Sequence, residues 1–111
     1  MSTTKRAPLL SGPQPLAGLI DYQEGAIVSR TLIQQPAGTV TLFAFAEGEG
    51  LSEHTAPYDA LFYVVEGEAT VEVDGERYQV PAGHVILLPA HRPHAVEAPG
   101  AFKALLIMIR R

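Results

Sequence analysis

Cysteine and tryptophan are absent from this 111-residue chain, and charge is sparse, with 8 Lys and Arg against 12 Asp and Glu. Without cysteine there is no disulfide framework and no thiolate metal site. The same absence suits a reducing compartment, so a cytoplasmic location is the expectation. A formal net charge of −4 argues against nucleic acid as a partner, because phosphate recognition needs a basic surface. No stretch approaches the ~20 apolar residues of a membrane-spanning helix. The apolar run after Lys5 and Arg6 is too short for a secretory signal. What is present is a 47% hydrophobic chain of a length that supports one core and not two.

Residues 1–18 contain Pro8, Pro13, Pro15, Gly12 and Gly18 without a sustained period, and read as a flexible arm ahead of a domain over 19–111. From Ala26 onward, short runs rich in Ile, Val, Thr and Phe alternate with turn residues. Ala26–Gln34, Thr39–Ala46, Leu61–Val65, Glu68–Val73, Glu76–Val80, Val85–Leu88 and Ala101–Ile109 all have strand character. Asp74-Gly75 sits between two of these runs, and both residues tolerate the positive φ of a type I′ hairpin turn. Turn signals every eight to twelve residues with no helical period predict an all-β sandwich or barrel. Periodicity alone leaves lipocalin-like and immunoglobulin-like folds open. The missing Cys and Trp weaken the second, and the chain is short for the first.

Two segments narrow the choice. The first, Gly48 to Gly67, reads G-E-G-L-S-E-H-T-A-P-Y-D-A-L-F-Y-V-V-E-G; the second, from Gly83, reads G-H-V-I-L-L-P-A-H-R-P-H-A-V-E-A. Both resemble the paired signature motifs of the cupin superfamily, here of the small single-domain bacterial type. Gly48, His54 and Gly67 match the first motif, while Ala56 stands at its second His and Ala60 at its Glu. Gly83, Pro89 and His94 match the second, with His91 replacing a Gly and Ala98 an Asn. The resemblance implies a jelly-roll β-barrel, a double-stranded β-helix, whose motif strands lie side by side and aim histidines into the mouth. It also implies a degenerate metal site, since the family offers three His and one Glu and this chain keeps two His.

Period two along a strand puts His54, Ala56, Ala60, Phe62 and Val64 on the inner face, with His94 and Val96 inward on the second motif. Glu53 and Asp59 then point outward. Imidazole ligates Zn, Fe, Mn, Ni or Cu, so His54 and His94 are the candidate ligands of a divalent transition metal, and His91 is the candidate third. His84 reads as a solvated loop residue. Without a metal, His54, His94, Tyr58 and Phe62, with Tyr63 nearby, would line a pocket for a small polar molecule, and an imidazole could serve as acid or base. Sugar epimerases of the superfamily work in that way, although no sugar-nucleotide signature is visible here. Two functions are therefore expected. One is a small-molecule binding module. The other is a metal-dependent dioxygenase, isomerase or decarboxylase acting on a small carbonyl or phenolic compound. A storage role fits the short chain and retained His pair poorly. A homodimer is expected, with Ala26–Ile33 as the segment to add to a partner's sheet. Val64 and Leu88 are expected in the core.

Overall fold

The structure, a computed structural model, describes residues 12–110. Nine strands follow one another with short connections: β1 Ile27–Gln35, β2 Gly38–Phe45, β3 Gly50–His54, β4 Asp59–Glu66, β5 Glu68–Val73, β6 Glu76–Pro81, β7 Val85–Leu88, β8 His94–Glu97 and β9 Phe102–Ile109. All pair antiparallel. One sheet has the order β1-β2-β9-β4-β7 and the other β3-β8-β5-β6, so the consecutive strands β6 and β7 sit at the ends of different sheets. The result is the jelly-roll barrel expected from the motifs. The Asp74-Gly75 turn has φ of 52° and 84°, which is the left-handed conformation required at both central positions of a type I′ turn.

The β-branched and aromatic residues alternate inward as period two demands. Phe45, Phe62, Val64, Val71, Val96, Phe102 and Ala104 bury one face of each sheet between the two. Phe45 and Phe102 stack with centroids 4.5 Å apart, and Phe62 meets Phe102 edge-on at 6.2 Å. Val64 and Leu88 are buried, as expected.

A second, smaller cluster lies on the outer face of the five-stranded sheet. Leu16, in a single 3-10 turn over Leu16–Leu19, packs there with Leu19 and Ile20 against Leu42, Ala44 and Leu105. Polar contacts fasten this segment. Lys103 Nζ donates to the Ala17 carbonyl at 2.6 Å and Arg30 Nη1 to the Leu19 carbonyl at 2.9 Å. The Tyr22 hydroxyl donates to Glu66 at 2.7 Å, and burial together with that carboxylate raises its pKa well above the ordinary phenol range. Of the arm expected over 1–18, residues 1–11 lie outside the described residues. Residues 16–18 form part of the packed domain, because Leu16 finds an apolar face to cover.

Candidate functional site at the barrel mouth

β8 runs between β3 and β5, and its register with β3 sets Gly50 opposite Glu97, Leu51 opposite Val96 and His54 opposite His94. Three residues of β3 thus span two of β8, which is a bulge. It turns Leu51 and His54 toward the same cavity, although strict alternation would separate them. Close approach of the two strands begins at Gly50, where a Cβ would come within 2.6 Å of the Val96 carbonyl oxygen.

The loops after β3 and β7 are tied together. The His91 amide donates to the Ala56 carbonyl at 2.7 Å, with His91 in the left-handed region at φ 65°. Asp59, which points outward as expected, accepts the Ala90 amide through Oδ1 at 2.8 Å. These bonds hold the ends of the motif strands β3 and β8 in place.

His54 and His94 converge. Their ring centroids are 4.3 Å apart with planes 70° from parallel. Each Nδ1 faces a backbone carbonyl two residues earlier, Ser52 at 2.8 Å for His54 and Arg92 at 3.2 Å for His94. A carbonyl only accepts, so each Nδ1 carries a proton, and in the neutral ring the Nε2 lone pair is left free. The rings differ in burial: His54 is exposed and His94 is buried. Burial, the largest influence, lowers the His94 pKa below its ordinary value; the neighbouring His54 acts in the same direction, and the Arg92 carbonyl opposes both.

Behind the rings is a cavity of about 60 Å³. Phe43, Phe45 and Phe62 form its aromatic wall, and Leu51, Leu88 and Val96 close the rest with Leu106. Phe62 is the lining aromatic expected from the sequence, and Phe43 and Phe45 join it from β2. Leu51 and Leu106 escape sequence reasoning: the bulge that admits Leu51 leaves no clear trace in the residues, and Leu106 belongs to a run apolar on both faces.

Other candidates lie elsewhere. The Tyr58 ring is outside the cavity, 5.6 Å beneath the Arg110 guanidinium, a cation–π contact. Tyr63 alternates to the outer face with Leu61. His91 lines a separate surface cavity of about 600 Å³ with Pro57, Asp59, Ala90, Ile109 and Arg110. The expected third imidazole is therefore not brought to the pair, because its backbone turns left-handed to bond Ala56. His84 is exposed, as expected. Among the described residues no three His, Cys, Asp or Glu side chains gather as a metal-holding group. Ala60, at the family's Glu position, and Ala98, at its Asn position, are packed into the core.

Residues 41–110 match the family model described as "Cupin domain". The chain belongs to the cupin domain family. A cupin superfamily protein from Desulfitobacterium hafniense is 34% identical, with a TM-score of 0.88 over 99% of this chain and 100% of that one. A cupin 2 conserved barrel domain protein from Leptotrichia buccalis is 44% identical, with a TM-score of 0.81 over 85% of this cupin and 46% of that chain. Among curated proteins, one named "Polyketide synthase CurC" from Streptomyces cyaneus is 33% identical over 72 residues, or 64% of this chain. The match spans about half of that relative, 47% of its length. No helix among the described residues is long and apolar enough to cross a membrane.

Proposed function

We propose that this cupin binds a small hydroxyl-bearing molecule, phenolic or enolic, through the His54–His94 pair. The observation that carries the reading is the common use of both Nδ1 atoms on backbone carbonyls, which leaves Nε2 as the acceptor of each neutral ring, on rings whose centroids are 4.3 Å apart. A hydroxyl complements one of these lone pairs by donating its proton, and a second hydroxyl or a water complements the other. The depressed pKa keeps His94 neutral, and so an acceptor, at neutral pH. With about 60 Å³ behind the rings, the cavity takes a head group and not a whole drug-sized ligand, which needs at least ~300 Å³. Its apolar wall suits the flat face or alkyl edge of such a head, with the remainder of the ligand left at the mouth.

The donor set does not fit a resident divalent metal. Catalytic zinc takes three protein ligands and non-haem iron two His with a carboxylate, whereas two imidazoles with alanines at positions 56 and 60 supply only half of the family's four. The metal-dependent dioxygenase, isomerase or decarboxylase reading has correspondingly less support than binding. The test is NMR of the two imidazoles during titration with phenol and with anisole, which has the same ring but no donor. Phenol should shift both ring signals, anisole neither, and the His94→Ala variant should lose the response of His54 as well. Equal responses to the two probes would overturn donor recognition.

A further inference from the structure

The consecutive strands β6 and β7 are joined by a tight turn yet belong to different sheets, so no ladder connects them. The turn is closed by the His84 amide on the Pro81 carbonyl at 3.1 Å, with Gly83 at φ 85° in the position that a type II turn reserves for positive φ. Each strand is the last of its sheet, β6 paired with β5 and β7 with β4, and the seam between them opens into a cleft of about 460 Å³. Burial along β6 records the opening. Val80 and Tyr78 stand opposite Ala69 and Val71, both fully buried, so all four side chains face the barrel interior. Val80, beside the turn, is 4% exposed, but Tyr78, two residues farther from it, is 46% exposed. An inward-facing aromatic ring left half in water sets this seam apart from the scattered apolar residues of an ordinary surface.

We propose that the cleft is a binding site for an uncharged, largely apolar small molecule, an aryl or alkyl compound with at most one or two hydrogen-bonding groups. Val73, Tyr78 and Val80 wall it from one sheet and Val85, Ile86 and Leu87 from the other, so a ligand there is covered on two sides. No Lys, Arg, Asp or Glu lines it, which leaves nothing to compensate the desolvation of a charged ligand. Its two remaining residues are polar. His84 Nδ1 faces the Ala82 carbonyl at 3.3 Å, so Nε2 is the acceptor of the neutral ring. Gln79 accepts the Thr70 hydroxyl through Oε1 at 3.0 Å, and its amide hydrogens are left to donate. The volume falls within the ~300–1,000 Å³ of small-molecule sites. The cavity behind His54 and His94 holds only about 60 Å³ and shares no lining residue with this one. An added β-strand fits the cleft less well, because β7 offers an edge of four residues and short edges are poor templates for pairing.

Fluorescence titration of the full-length chain with N-phenyl-1-naphthylamine, a neutral apolar probe that brightens out of water, tests the site. The native chain should bind one probe per copy. Tyr78→Asp and Val85→Lys, each tested alone, set a charge in the cleft and should raise the dissociation constant at least about tenfold. The two positions are 46% and 54% exposed, so the fold should tolerate both changes. Circular dichroism melts check this, and if Tyr78→Asp does not fold, Val85→Lys still decides. In NMR titrations with the same probe, the signals of Tyr78, Val80 and Ile86 should shift while the imidazole signals of His54 and His94 stay in place. Absence of binding overturns the proposal, as does binding that survives both charges. Shifts centred on the His pair would assign the probe to the barrel mouth and equally overturn it. Binding that disappears as the chain self-associates at higher concentration would give the cleft to a second copy, which also overturns it.

Discussion

His94 stands on β8, hydrogen-bonded to β5 on one side and β3 on the other; His54 stands on β3 at the edge of the same sheet. The ring on the inner strand is buried and has a lowered pKa, while every residue of β3 is exposed. One imidazole is thus part of the core and the other is held against it by a bulge and a single carbonyl contact. A two-ring site built in this way has one ring packed in the fold and one at the solvent edge. Such an arrangement suits a ligand that is positioned by the first ring and clasped by the second.

The largest effect should come from completing the family's ligand set. Ala56→His with Ala60→Glu adds two donors near the pair and would make the loose half as firm as the fixed one. Position 60 is buried, so the new carboxylate should destabilise the metal-free protein by several kcal/mol. Zinc or manganese should restore the lost stability and bind at least about a hundredfold more tightly than to the native chain. Isothermal titration and melts with and without chelator measure both. Should neither metal bind more tightly, the side chains at 56 and 60 do not converge on the His pair.

Leu88→Ala comes next. It removes a buried side chain that both packs in the core and walls the cavity behind the rings, at an expected cost of about 2–5 kcal/mol. Chemical denaturation measures it. A cost near zero would mean that the cavity floor is already loose and the ring on β8 is no better fixed than its partner.

How far this asymmetry can be read from the sequence depends on the element. That the chain is all-β is legible because the turn residues come at regular intervals and Asp74-Gly75 favours a type I′ hairpin turn, whereas the barrel is legible through the resemblance of the two motifs. The meeting of His54 with His94 is what the resemblance of the two motifs to the cupin signatures implies. The difference between the two rings is not legible, because β3 reads G-L-S-E-H with one apolar residue and no strand period, and its bulge is fixed by pairing with β8. His91 fails as a third ligand for a similar reason: its left-handed backbone answers the Ala56 carbonyl, a contact between loops 35 residues apart in sequence. Alternation assigns Leu61 and Leu87 to the outer face, but whether anything covers them depends on how far Leu16, Leu19 and Ile20 extend over the sheet.

Replacing the two histidines measures the asymmetry directly. His94→Ala empties a buried position beside aromatic walls and should cost about 1–2 kcal/mol, less than Leu88→Ala. His54→Ala removes an exposed ring and should stay within about 0.5 kcal/mol of the native chain. Melts in chelator compare them free of any bound metal. Equal losses would show that the edge ring is as much a part of the fold as the inner one.

The smallest expected effect is a pH dependence that belongs to one ring. His94 has a lower pKa folded than unfolded, chiefly because burial disfavours its charged form. As pH falls below the unfolded value of ~6.5, the unfolded chain takes up a proton that the folded chain still resists, so stability declines. The contribution is complete above that value, is lost as pH falls through the lower folded pKa, and is constant below it. Carboxylates titrate under about pH 5, so the useful window lies between pH 5 and 7. There the native protein should lose stability on acidification more steeply than His94→Ala, and His54→Ala should retain most of the native slope, because burial outweighs the neighbouring His54 in lowering the His94 pKa. Parallel curves for the native chain and His94→Ala would show that the inner ring is well solvated, and the contrast between the two histidines would then be one of position alone.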